Sequence, residues 1–124
     1  MTLKQCEEAA EIIKNKLVKA GYELKKTENN KISINSIDKE VNCNEYNYIH
    51  PEHNTRVLVQ YCKETSETNK YELTAMAYFT NSDLRVGFKV KEEDLESGLK
   101  KGIDRFISTC NRIIEEIRNL IQNQ

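Results

Sequence analysis

The chain has 124 residues, of which 38% are hydrophobic and 31% are charged, and its formal net charge at pH 7 is −1. This length suits one domain with its own core, and no linker or internal repeat divides it, so we predict a single domain over residues 1–124. The near-neutral charge favours neither a nucleic-acid-binding protein nor an acidic adaptor, so either function would need a local patch of charge. No apolar run approaches the ~18 residues that cross a membrane.

The cysteine residues and the first residues of the chain bear on its location. Glu7 and Glu8 lie where a secretion signal requires an apolar run, which predicts a cytoplasmic protein. In a reducing cytoplasm thiols stay free. We therefore expect free thiols at all four cysteines, which are Cys6, Cys43, Cys62 and Cys110.

The first predicted element is an amphipathic helix over residues 3–20. Its apolar residues recur at spacings of three and four, which is the period of one helix face. Thr2 and Gln5 form a capping-box pattern at its start. Gly21 suits the left-handed position that ends a helix, and it lets Tyr22 fold back onto Leu17.

Between residues 22 and 90 the apolar period changes to two, which is typical of strands. We predict a short strand at residues 22–26 and a turn at Asn29 and Asn30. Further strands are expected at residues 31–37, 41–48, 55–63, 70–79 and 84–90, with a loop at residues 50–54. The short polar connectors favour an antiparallel meander.

The alternation also assigns the faces of the last three strands. One face is predicted to pack on the helices, and it carries Val57, Val59, Tyr61, Tyr71, Leu73, Ala75, Ala77, Phe79, Leu84, Val86, Phe88 and Val90. The small residues Ala75 and Ala77 would let a helix lie close to the sheet.

The last predicted element is a long amphipathic helix that starts near Asp94. Gly98 and Gly102 weaken its first turns, which indicates a break or a close approach there. A wide apolar stripe follows, formed by Leu99, Ile103, Phe106, Ile107, Cys110, Ile113, Ile114, Ile117, Leu120 and Ile121. Either the sheet and the first helix cover the whole stripe, or part of it is left for a partner, most simply a second copy.

These elements predict an α+β fold of order α-β-β-β-β-β-α. An antiparallel sheet of five or six strands is flanked by the N-terminal helix and the long C-terminal helix, both packed mainly on one face.

The opposite face of the last strands is the first candidate binding surface. It carries Arg56, Leu58, Met76, Tyr78, Arg85, Lys89 and Lys91, together with Gln60, Cys62, Glu72, Thr74 and Gly87. A purely solvated face would be more polar. A helix or a dimer mate could cover it, it could bind a protein or a small ligand, or it could bind single-stranded nucleic acid by stacking and phosphate contacts.

A second candidate combines both histidines of the chain with two cysteines. Cys43, His50, His53 and Cys62 are ligand types that suit zinc, although the tight Cys-x2-Cys spacing of most structural zinc sites is lacking. A Cys–His nucleophile could be built from the same residues. The competing interpretation is two ordinary strand cysteines and two exposed loop histidines.

No phosphate-binding loop, zinc-protease motif, nucleophile elbow or calcium loop occurs, and we predict no cofactor. The sequence therefore favours a non-catalytic, cytosolic protein-binding or adaptor module, acting as a homodimer through the C-terminal helix or the outer sheet face. The alternatives are single-stranded nucleic-acid binding through that face, and a small metal-dependent or thiol enzyme.

Overall fold

The structure is a computed structural model that describes residues 1–34, 39–65 and 67–122. Its elements confirm the predicted α+β fold, with five antiparallel strands between two helices. In chain order they are α1 (Leu3–Lys19), β1 (Glu23–Ile34), β2 (Lys39–Ile49), β3 (Arg56–Lys63), β4 (Tyr71–Tyr78), β5 (Arg85–Val90), a 3-10 turn at Glu92–Asp94, and α2 (Leu99–Gln122). The strands form one sheet in the order β1-β2-β3-β4-β5, so the meander is confirmed.

Local signals set the ends of α1 as predicted. The Thr2 hydroxyl accepts a hydrogen bond from the Gln5 backbone N–H at 3.1 Å, and the Gln5 side chain accepts one from the Thr2 N–H at 2.9 Å. At the other end Gly21 has a φ of 96°, a conformation that glycine adopts without strain. The Tyr22 N–H then donates to the Leu17 carbonyl at 3.0 Å, which closes the helix.

The β1–β2 hairpin differs from the prediction. Asn29 and Asn30, predicted to form a turn, lie inside β1, where they pair with Asn44 and Cys43 of β2. The Asn29 side-chain amide donates to the Asn44 amide oxygen at 2.7 Å, so a cross-strand contact replaces the local turn contacts. The two strands predicted at residues 22–26 and 31–37 are therefore one strand, and residues 35–37 lie outside the described residues.

Both helices pack on the same face of the sheet. The buried core joins Ile13 and Leu17 of α1, Leu73 of β4, and Ile103 and Phe106 of α2. The predicted inward face of β3 and β4 is confirmed, since burial alternates along both strands. Leu84 differs because it lies before β5, where its side chain is 53% exposed.

α2 begins at Leu99 and not near Asp94 as predicted, because Glu92–Asp94 form a separate 3-10 turn. The first turns of α2 lie close to β5. A Cβ atom added at Gly102 would lie 2.8 Å from the Phe88 ring, so the glycine allows the close approach that the sequence indicated. Buried residues of α2 extend from Leu99 to Ile114. Farther along, Leu120 and Ile121 are 68% and 58% exposed, which leaves the end of the apolar stripe uncovered.

Neither helix in the described part of the chain has the length and apolar character needed to cross a membrane.

Candidate functional site

The strand face that points away from the helices is the main candidate site, and we call it the outer face. Among the described residues, both helices pack on the other side, so strand side chains alone form its surface. On β2 to β5 the outer face carries the buried residues Val41 and Cys43, together with Glu45, Asn47, Ile49, Arg56, Leu58, Gln60, Cys62, Glu72, Thr74, Met76, Tyr78, Arg85, Gly87 and Lys89. Six of the seven predicted binding residues lie on it. Lys91 lies one residue beyond the end of β5.

Strand register arranges the outer face in rows that cross the strands from β2 to β5. The middle row is the least polar and contains Asn47, Leu58, Met76 and Gly87. A second row contains Ile49, Arg56, Tyr78 and Arg85, and a third contains Glu45, Gln60, Thr74 and Lys89. The Met76 methyl group would lie 3.3 Å from a Cβ atom added at Gly87, so this thioether covers the glycine. The outer face therefore has an apolar centre with polar rows on both sides.

Most charged side chains of the outer face have a partner within the chain. The Arg85 guanidinium lies 4.6 Å from the centre of the Tyr78 ring, within the range of a cation–π contact. Lys89 Nζ lies 3.0 Å from Glu72 Oε1. Such exposed pairs add little to stability, but they neutralise the charges and orient the side chains. The face therefore does not present a run of free cations to a phosphate backbone.

Cys43 and Cys62 are joined by a disulfide, which corrects the expectation that all four cysteines are free. They are directly opposite each other on β2 and β3, and their Cα atoms are 4.2 Å apart. Cys6 and Cys110 are free and buried. Burial raises the pKa of Cys110 to about 12 and that of Cys6 to about 11, so both thiols stay protonated and unreactive near neutral pH.

The structure does not bring the four predicted metal ligands together. His50 lies seven residues beyond Cys43 along β2, a separation of about 23 Å at ~3.3 Å per residue. Both cysteine sulfurs are also used by the disulfide. Within the described ranges, no three His, Cys, Asp or Glu side chains are placed to hold a metal ion. The histidines must therefore be considered separately from the cysteines.

His50 and His53 stack on each other in the loop between β2 and β3. Their ring centres are 3.8 Å apart, and the Tyr22 ring meets His50 edge-on at 5.1 Å. His53 Nδ1 lies 2.7 Å from the hydroxyl of the buried Thr55. Burial lowers the pKa of His53, the His50 ring and Arg118 lower it further, and Glu52 opposes them. Nothing in the sequence indicated that these two rings would stack.

We expect acid to destabilise the protein partly through His53. Because the folded state lowers the pKa of this imidazole, the unfolded chain binds the proton more readily. The contribution of His53 to the free energy of unfolding is therefore fully present well above pH 6.5, the ordinary pKa of imidazole, and it is lost as the pH falls below that value. The check is the urea midpoint of the wild type and of His53→Gln at pH 7.5 and 5. We expect the midpoint to fall more between pH 7.5 and pH 5 in the wild type than in the variant. An equal fall in both proteins would contradict the assignment to His53.

A groove of about 270 Å³ lies between this loop and the end of α2. Phe79, Ile114, Ile117 and Ile121 give it an apolar wall, while His53 and Arg118 add polar groups. It is the region where the apolar stripe of α2 stays uncovered. The groove marks a second exposed surface, which the sequence had indicated as a place for a partner.

A comparison with protein-family models, curated proteins and solved structures finds no match to this chain. The surface of the molecule therefore carries the information on its function. Among these features, the outer face has the most regular arrangement of apolar, aromatic and charged groups.

Proposed function

We propose that this protein is a non-catalytic protein-binding module that works as a homodimer, with the outer face as its self-interface. The observation that carries the proposal is the position of both helices on one side of the sheet. It leaves Leu58, Met76 and Tyr78 on a face without a helix in the described part of the chain. An apolar centre with a polar rim is the usual anatomy of a protein interface.

The dimensions of the outer face support a stable contact. Four strands, β2 to β5, about 4.8 Å apart and with ~7 residues each at about 3.3 Å, give a surface of roughly 19 by 23 Å. This is about 440 Å² in projection, and side-chain relief makes the accessible area larger. A standard interface uses ~800 Å² from each partner, so one sheet face is close to the required size.

The charges favour protein over nucleic acid as the occupant. Glu45 and Glu72 lie on the same face as the basic residues, and Lys89 is already paired with Glu72. Arg85 also covers one side of the Tyr78 ring, which a stacked base would need. Nucleic-acid binding is therefore the second candidate, supported by Arg56, Lys91 and the exposed face of Tyr78.

Cytoplasmic location stays a prediction. The Cys43–Cys62 disulfide fits an oxidising compartment better, because reducing conditions keep thiols free.

The solution mass tests the proposal. We expect light scattering after size exclusion to give twice 14.5 kDa for the wild type and 14.5 kDa for Met76→Glu. A buried glutamate at the centre of the interface would cost several kcal/mol, which shifts the dimer Kd by more than ~100-fold. Leu120→Glu is the matched control, since Leu120 is apolar and exposed but lies on α2.

Other results would contradict this assignment. A wild type that stays monomeric at all concentrations excludes the homodimer. A dimer that Leu120→Glu dissociates and Met76→Glu does not would move the interface to the end of α2. A monomer that binds a single-stranded oligonucleotide, with affinity falling steeply as salt rises, would favour the nucleic-acid alternative.

A further inference from the structure

The rows of the outer face point to one arrangement of the second copy. Building on the proposed function, we infer that the two copies pack face to face around a two-fold axis that runs parallel to the strands, between β3 and β4. In this arrangement Glu45 of each copy meets the partner's Lys89.

The arrangement follows from symmetry and register. A homodimer interface is isologous, so each residue on one copy meets a fixed counterpart on the other. An axis along the strands exchanges left and right but keeps the position along each strand. Thus β3 lies over the partner's β4, β2 lies over the partner's β5, and each row faces the same row in reverse.

The two central strands supply a matched pair in the middle row and in the second row. In the middle row Leu58 contacts the partner's Met76, an apolar pair. In the second row Arg56 faces the side of the partner's Tyr78 ring that Arg85 leaves uncovered, a cation on an aromatic ring. At the ends of this row Ile49 faces the partner's Arg85.

The third row supplies the electrostatic complementarity. Glu45 faces the partner's Lys89, an acid opposite a base, and Gln60 faces the partner's Thr74. Within one chain Glu45 Oε1 accepts a hydrogen bond from Gln60 Nε2 at 3.1 Å, and Lys89 Nζ lies 3.0 Å from Glu72 Oε1. These partly exposed pairs are weak, so the contact between copies forms by exchange of partners. By symmetry each of these contacts occurs twice in the dimer, so a small gain per contact counts double.

The other simple two-fold axis gives a worse match. An axis across the strands, along the middle row, places every strand over the same strand of the partner, with the second and third rows exchanged. Arg85 then meets the partner's Lys89, and Glu45 has no basic counterpart. Like charges in contact oppose association, so this arrangement is disfavoured.

The Glu45–Lys89 contact can form only between copies. Within one chain these residues lie on β2 and β5, three strand spacings or about 14 Å apart. Packed sheets cross at an angle of roughly 30°, which displaces these outer positions by about 4 Å. The long side chains of glutamate and lysine span that displacement.

A charge exchange tests the arrangement. We expect Glu45→Lys and Lys89→Glu each to raise the dimer Kd at least tenfold, because each places like charges together twice per dimer. The double variant restores the opposite order of charges and should return the Kd to within about threefold of the wild type. The Kd is measured from light-scattering mass across a dilution series at low salt, and circular dichroism confirms that each variant is folded.

The outcomes separate this inference from the proposed function. If the wild type is a dimer but the Kd of the double variant is no lower than that of the single variants, the arrangement is wrong and the homodimer stands. The same conclusion follows if none of the three variants raises the dimer Kd. A monomeric wild type overturns the homodimer, and the arrangement with it.

Discussion

Leu73→Ala lowers the free energy of unfolding by about 3 kcal/mol. Leu73 is fully buried in β4, where it lies between Tyr61 of β3 and Val90 of β5 beneath the helices. Removing three carbon atoms loses their transfer free energy and leaves a cavity that the packed helices and strands cannot fill completely. Since a domain of this size is stable by only about 5–15 kcal/mol, this one change removes a large part of the total.

Leu84→Ala provides the matched control. The same atoms are removed from a side chain that is 53% exposed and lies just before β5. We expect a cost below about 1 kcal/mol, because little apolar area returns to water. Urea unfolding followed by circular dichroism measures both variants. Equal costs at the two positions would mean that the inner face of β4 is not the centre of the core.

The features that the sequence predicted well depend on short stretches of chain. Thr2 and Gln5 form the capping box because both partners lie within four residues of each other. The alternation from Leu73 to Ala77 is local in the same way, since neighbouring side chains of a strand point to opposite faces. The inner and outer faces of β3 and β4 could therefore be assigned without knowing the fold.

The features that the sequence missed depend on pairing between distant residues. Asn29 and Asn30 have the local preference of a turn, but their partners on β2 keep them in a strand. The disulfide has the same origin, because only the β2–β3 register places Cys43 opposite Cys62. That register depends on where each strand ends and on the conformation of the loop between them, and a single sequence does not fix either.

The outer face shows both kinds of result. Leu58, Met76 and Arg85 were assigned to it from alternation alone, and they lie there. The contribution of β2 was missed, because its asparagines and tyrosines left the phase of that strand open. Glu45, which carries the inferred contact between copies, is one of those missed residues.

Removing the Cys43–Cys62 disulfide also costs about 3 kcal/mol. The bond links residues 19 positions apart in sequence, and in the chain-entropy model a loop of that length restricts the unfolded chain by this amount. We expect a reducing agent to lower the urea midpoint of the wild type accordingly. The double variant Cys43→Ser, Cys62→Ser should have a similarly low midpoint, and the reducing agent should not change it further.

The loss of stability on reduction should be concentrated in the strands that the disulfide joins. Cys43 and Cys62 join β2 to β3, so reduction should speed hydrogen exchange in the β1–β2 hairpin more than in β4. The free thiols Cys6 and Cys110 are buried in the core, and a reducing agent leaves them unchanged. Because β2 supplies Glu45 to the inferred interface, reduction should also weaken the dimer. An equal effect of the reducing agent on the double variant would show that the bond is not what holds β2 in place.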